Sequence, residues 1–84
     1  MSLITVNYFN IIKDVDEFLE IQSINTGHYW IIKKLPYFSF KLHIQVYHKH
    51  SLKNPYYHKH SQHFNIEQAI HQIKEHDKYI LINH

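Results

Sequence analysis

The stretch FSFKLHIQVYHKH, Phe38 to His50, decides the fold. Its even positions from 38 to 46 are apolar, whereas its odd positions from 39 to 47 carry polar side chains or tyrosine. Alternation with a period of two over nine residues predicts a β-strand with one buried face. The turn-forming LKNP (52–55) and then YYHKHSQHF (56–64) follow it, which predicts a hairpin.

A helix is predicted directly after this hairpin. Asn65 is a favourable N-cap, and Gln68 stands three residues later, where it can complete a capping box. We predict a helix over residues 66–76 that covers the apolar side of the sheet, followed by a short strand at YILIN (79–83). The apolar residues of this helix recur at helical spacing and form one stripe: Ile66, Ala69, Ile70 and Ile73.

Two strands are predicted upstream, LITVNYFNII (3–12) and HYWIIKKL (28–35). The segment between them fits two structures. As a helix over residues 14–24, it has Asp14 at the N-cap and Glu17 in a capping box. As a strand, it would be closed onto HYWIIKKL by the turn NTGH (25–28). The helix is slightly favoured.

The predicted fold class is therefore α+β. It consists of an antiparallel β-meander of about four to five strands with a C-terminal helix (66–76) packed on one face, and with the short N-terminal helix (14–24) as one alternative. With that helix, the element order over residues 14–77 resembles the double-stranded RNA-binding domain. In that family lysines at the start of the second helix bind phosphates, whereas this helix has Glu67 in its first turn, and RNA binding is not inferred.

Length and composition set the broad class. A chain of 84 residues predicts a single domain over residues 1–84. Cysteine is absent, which excludes disulfides and thiolate metal sites and fits a cytoplasmic protein. Apolar runs are too short for a membrane span, and no signal peptide is recognised. The chain also lacks a nucleophile motif and a glycine-rich phosphate loop, so we predict that it is not an enzyme.

Charge is distributed unevenly. Residues 28–66 contain six lysines, no acidic residue and seven of the ten histidines. All nine basic residues of the chain are lysine. Arginine, which supplies the bidentate fork for phosphates and bases, is absent, and this argues against a dedicated nucleic-acid reader.

The leading functional hypothesis is a small interaction module that binds an acidic protein partner. The arginine-free composition is typical of AT-rich genomes and suggests an accessory or inhibitor protein of a phage or mobile element. Homodimerisation is a companion hypothesis, because an exposed edge strand needs covering. The alternative is nucleic-acid binding, with lysines on phosphates and aromatic rings on bases. The predicted partner-binding residues are Lys33, Lys34, Lys41, Tyr47, Lys49, Lys53, Tyr56, Tyr57 and Lys59.

The pentad Tyr-His-Lys-His-Ser occurs twice, from Tyr47 and from Tyr57, and gives a second alternative, a metal site. If His48 faces His60 across the hairpin, four imidazoles share one face and could hold Zn²⁺. If the loop is the four-residue LKNP, the register shifts by one residue and the pairs point to opposite faces. The predicted metal ligands are His48, His50, His58 and His60.

Overall fold

A computed structural model describes residues 7–35 and 43–83 of the chain, and all structural statements concern these residues. Each strand is hydrogen-bonded to its neighbours along the chain, so the sheet is an antiparallel meander that is followed by a helix. This arrangement confirms the predicted fold class. The elements are β1 (Phe9–Asp14), β2 (Phe18–Ser23), β3 (Tyr29–Lys34), β4 (Ile44–Lys49), β5 (His58–His63) and α1 (Ile66–Ile82).

The prediction of a helix over residues 14–24 is wrong, because β2 occupies most of this segment. Leu19, Ile21 and Ser23 alternate along β2, and all three are buried. The turn to β3 contains Gly27, which has a φ of 76° and donates its N–H to the Ser23 carbonyl at 2.8 Å. Cross-strand pairing and burial therefore outweigh the local capping signal. The element order of the double-stranded RNA-binding domain is lost with this helix.

The strand that decides the fold lies partly within the described residues. Ile44 and Val46 are buried in β4, as the alternation predicts. Phe38, Phe40 and Leu42 lie outside the described residues. At the N-terminus, the predicted strand 3–12 overlaps β1, which begins at Phe9 and extends to Asp14, whereas residues 3–6 lie outside the described residues.

Helix α1 begins as predicted. The Asn65 side chain accepts the Gln68 N–H at 2.8 Å, and the Gln68 side chain accepts the Phe64 N–H at 3.0 Å. The helix continues to Ile82, so the predicted end at residue 76 and the predicted strand 79–83 are wrong. No glycine or proline interrupts residues 66–83, and buried Asp77 continues the row formed by Ala69 and Ile73.

One side of the sheet packs against α1 and is called the covered face. It is defined by Trp30, Val46 and His48, and the opposite side, the open face, by Tyr29, Tyr47 and Lys49. The core lies between the covered face and the helix and consists of Phe9, Leu19, Ile21, Trp30, Ile32, Ile44, Val46, Ala69 and Ile73.

Among the described residues, no helix is both long enough and apolar enough to span a membrane.

Candidate functional site

The repeated pentad contributes to both faces of the sheet. In its first copy, Tyr47 and Lys49 lie on the open face, whereas His48 between them is buried on the covered face beside Trp30. In the second copy, His58 pairs with His48 and Lys59 pairs with Tyr47. Strand alternation therefore separates the histidines from the tyrosines and lysines of one short motif.

Next to the loop, the hairpin register differs from both predicted alternatives, whereas Ile44 to Val46 pair with residues 61–63 in the register of the four-residue loop. His48 pairs with His58, and the register shifts between Val46 and Tyr47, which leaves His60 as the additional residue of a β-bulge. The ring centroid of His48 lies 4.8 Å from that of His50, 5.3 Å from that of His58 and 5.6 Å from that of His60. Three of the four predicted ligands thus surround the buried imidazole of the fourth, His48.

Two further histidines, which the sequence interpretation did not select, complete this cluster. His28 comes from the turn before β3, and its Nδ1 lies 2.9 Å from Nε2 of His48. His76 comes from α1, and its ring centroid lies 5.0 Å from that of His48. One ring nitrogen from each of these three residues lies within 4.8 Å of the other two. We call His28, His48 and His76 the histidine triad.

Burial controls the protonation of the cluster. His48 is 2% exposed, and its ring lies against Trp30 with a centroid separation of 4.2 Å. Desolvation, followed by repulsion from the neighbouring histidines, lowers the pKa of His48 to about 3. Burial also lowers the pKa values of His60 and His76. His48, His60 and His76 are therefore neutral near pH 7, and a neutral imidazole is the form that binds metal ions.

A buried hydrogen-bond network holds the triad in place. Asp77 is fully buried and accepts hydrogen bonds from the Tyr8 hydroxyl at 2.8 Å and from the Thr26 hydroxyl at 3.0 Å. Thr26 in turn accepts the backbone N–H of His28 at 3.3 Å. Burial and the bond to Asp77 raise the pKa of Tyr8 to about 12, so its hydroxyl stays a donor. This network links the turn that carries His28 to the helix that carries His76.

The open face has a different chemistry. The Lys49 ammonium lies 5.3 Å from the ring centroid of Tyr29 and 4.7 Å from that of Tyr57. The Tyr57 hydroxyl donates to Glu20 at 2.8 Å, an acidic residue that the sequence interpretation did not place on this surface. Beside them is an open depression of about 340 Å³, lined by Phe18, Ile31, Lys33, Tyr47 and Tyr57.

The predicted partner-binding residues fall into four groups. Lys33, Tyr47, Lys49, Tyr57 and Lys59 belong to the open face. Lys53 and Tyr56 are exposed in the β4–β5 loop. Lys34 is also exposed, but it pairs with Ile44 of the covered face. Lys41 lies outside the described residues. The structure therefore brings five of the nine together.

The signals for His28 and His76 exist in the sequence but depend on tertiary structure. His76 follows Ile73 by three residues, which places it next to the buried stripe of the predicted helix, but its approach to His48 depends on how the helix packs on the sheet. His28 approaches His50 because Tyr29 pairs with Lys49, a register that the alternation alone does not determine.

No protein-family model, curated protein or solved structure matches this chain.

Proposed function

We propose that the protein is a small interaction module that binds an acidic protein partner through its open face. The observation that carries this proposal is the position of Lys49, whose ammonium lies over the rings of Tyr29 and Tyr57. The two rings hold the cation at the sheet surface. A carboxylate of the partner would meet a cation that is already positioned, so less conformational entropy would be lost on binding.

The surroundings of Lys49 support the same class of partner. Lys33 and Lys59 are exposed and add positive charge. The adjacent depression offers aromatic and aliphatic surface from Phe18, Ile31 and Tyr47, into which one apolar side chain of a partner could pack. An aromatic centre with a charged rim is the usual composition of a protein–protein interface.

Glu20 favours a protein over a nucleic acid as the partner. Its carboxylate lies within the open face, where it accepts the hydrogen bond from Tyr57. A protein surface can place its acidic groups opposite Lys33 and Lys59 and away from Glu20. A nucleic acid carries a phosphate at every nucleotide and would bring negative charge close to this carboxylate. The absence of arginine points in the same direction.

We extend the proposal to the biological setting. The composition, rich in lysine and isoleucine and free of arginine, supports a source in an AT-rich genome. An accessory or inhibitor protein of a phage or mobile element would act on host proteins, and the cysteine-free composition supports action in the cytoplasm.

Charge reversal on the open face tests the proposed interface. The full chain is used as bait beside a Lys33→Glu/Lys59→Glu double variant and a control, Lys78→Glu, which alters an exposed lysine on α1. We expect the wild type and the control to bind one acidic protein at a fixed stoichiometry. We expect the double variant to bind it at least about 30-fold more weakly, the size of a loss of 2 kcal/mol.

Other outcomes would contradict the proposal. A partner that the double variant binds with unchanged affinity would bind elsewhere on the molecule. Binding of a labelled single- or double-stranded oligonucleotide that weakens steeply with salt would assign the open face to nucleic acid. A light-scattering mass of two chains that the double variant reduces to one would make a second copy the occupant of this face.

A further inference from the structure

We propose that the histidine triad, His28, His48 and His76, is a binding site for a divalent transition-metal ion of the Zn²⁺ class. The triad lies on the covered face, on the opposite side of the sheet from the open face. The proposal is therefore independent of the proposed function. The three residues of the triad also differ from the ligands that the hairpin sequence suggests, because only His48 belongs to both sets.

The geometry of the three rings is close to that of a three-histidine site. Zn–N bonds of 2.0–2.1 Å with tetrahedral angles place ligand nitrogens about 3.3 Å apart. Nδ1 of His28 and Nε2 of His48 share a hydrogen bond of 2.9 Å, and the three candidate nitrogens lie within 4.8 Å of one another. A small opening of the His28–His48 pair and a small inward movement of the His76 ring would produce the tetrahedral spacing.

The three ligands come from separate elements of the fold. His28 lies in the β2–β3 turn, His48 in β4 and His76 in α1, so one ion would join a turn, a strand and a helix. In the part of the chain that the structure describes, Nδ1 of His76 is buried and has no hydrogen-bond partner. An unpaired buried polar atom is unfavourable, and an ion or water that satisfies the group is a common reason for it.

The surrounding side chains provide the support that a metal site needs. Asp77 and Thr26 hold the helix and the turn in a fixed relation, and Trp30 packs on the ring of His48. Such outer contacts orient ligand imidazoles in known metal sites. These contacts hold the rings of the triad in fixed positions that are largely shielded from water. Imidazole ligands suit zinc, copper and nickel.

A fourth ligand is available at the solvent side of the triad. His50 is exposed, and its ring centroid lies 4.8 Å from the centroids of both His28 and His48. It can supply the fourth nitrogen or leave that position to water. Three histidines with a fourth open or exchangeable position are a known zinc arrangement.

Zn²⁺ itself is the probe for the test. The full chain is stripped of metal with a chelator and titrated with Zn²⁺ against a chromophoric competitor. We expect one Zn²⁺ per chain. At a free Zn²⁺ concentration 100-fold above the Kd, we expect the thermal midpoint to rise by at least about 10 °C and to return on addition of chelator.

Single variants identify the ligands. We expect His28→Gln and His76→Gln each to lower Zn²⁺ affinity by more than roughly 100-fold. This exceeds the loss that is usual when a residue that only supports a metal ligand is replaced. The matched control is His71→Gln, an exposed histidine on the same helix, which should bind Zn²⁺ like the wild type. Co²⁺ should give the visible absorption of a tetrahedral site in the wild type and in the control, and not in the two ligand variants.

Several results would overturn the site. One is a thermal midpoint that does not respond to Zn²⁺. Another is wild-type affinity in both His28→Gln and His76→Gln, and a third is loss of affinity only in a His58→Gln/His60→Gln variant, which would move the ion to the hairpin. If His28→Gln does not fold, the partly exposed His76 still provides a variant, and the ring nitrogen NMR shifts of the wild type with and without Zn²⁺ identify the ligands directly.

Discussion

The covered and open faces of the sheet carry different residues of the same pentad and differ in their surroundings. On the covered face, His48 lies beneath helix α1 against Trp30, and its pKa falls to about 3. On the open face, Lys49 stays at the surface between two tyrosine rings. The difference shows that the sequence motif alone does not determine what each side chain does. Strand alternation and the position of the helix decide which side chains are buried away from water.

Two neighbouring isoleucines of β3 provide the most direct test of this comparison. Ile32 is fully buried on the covered face, whereas Ile31 is partly exposed on the open face. We expect Ile32→Ala to lower the free energy of unfolding by about 2–5 kcal/mol, because it removes core contacts and leaves a cavity. We expect Ile31→Ala to lower it by less than about 1 kcal/mol.

Urea unfolding of both variants measures this difference. If Ile32→Ala leaves too little folded protein, Ile32→Val should still cost about 0.5–1.5 kcal/mol. Equal losses for the two alanine variants would mean that the faces are equally buried in solution, which would contradict the packing of α1 on one side.

The pH dependence of stability tests the dry environment of the covered face. Because the folded pKa of His48 lies near 3 and the unfolded value near 6.5, the unfolded chain binds more protons between these values. The contribution of His48 to the free energy of unfolding is therefore fully present above about pH 6.5, and it is lost as the pH falls towards the folded pKa. From pH 6.5 to pH 5, His48 alone should lower the free energy of unfolding of the metal-free protein by roughly 2 kcal/mol. The lowered pKa values of His60 and His76 act in the same direction.

Urea midpoints at a series of pH values measure this effect, and His71→Gln serves as the control that should follow the wild type. A flat profile between pH 7 and pH 5 would show that His48 is solvated. The side chains close to His48 that carry or can gain charge are His28, His50, His58, His60, His76 and, beside His76, Asp77.

The smallest expected effect on stability concerns the open face. Lys49→Gln removes the cation between Tyr29 and Tyr57, and exposed cation–π contacts contribute about 0.5–1 kcal/mol. We expect a loss of at most about 1 kcal/mol in the free energy of unfolding, together with clearly weaker binding to the acidic partner. A large loss of stability would give the open face a structural role and would weaken the proposal that it binds a partner.

Much of the fold could be predicted because its signals are local. The alternation that buries Ile44 and Val46, and the start of α1 at Asn65 and Gln68, depend on residues that are close in the chain. Residues 14–24 could not be assigned, since their capping box favours a helix and only pairing with β1 and β3 makes them a strand. The far end of α1 was missed because buried Asp77 finds its partners in Tyr8 and Thr26, which are distant in sequence.

The candidate sites show the same division. The predicted partner-binding lysines and tyrosines were selected from the basic, tyrosine-rich composition of the middle of the chain, and five of them come together on the open face. The hairpin histidines were selected as well, but the bulge at His60 and the approach of His28 and His76 depend on strand register and helix packing. These features are set by contacts between distant segments, which periodicity does not encode.

By itself, the sequence determined that a half-buried strand leads through a hairpin to an amphipathic helix, because side-chain period and capping are properties of neighbouring residues. Only the tertiary structure decided that residues 18–23 extend, that α1 continues to Ile82 and that three histidines from a turn, a strand and a helix meet. The physical reason is that burial and register are settled by the packing of the whole chain, where long-range contacts outweigh local preference.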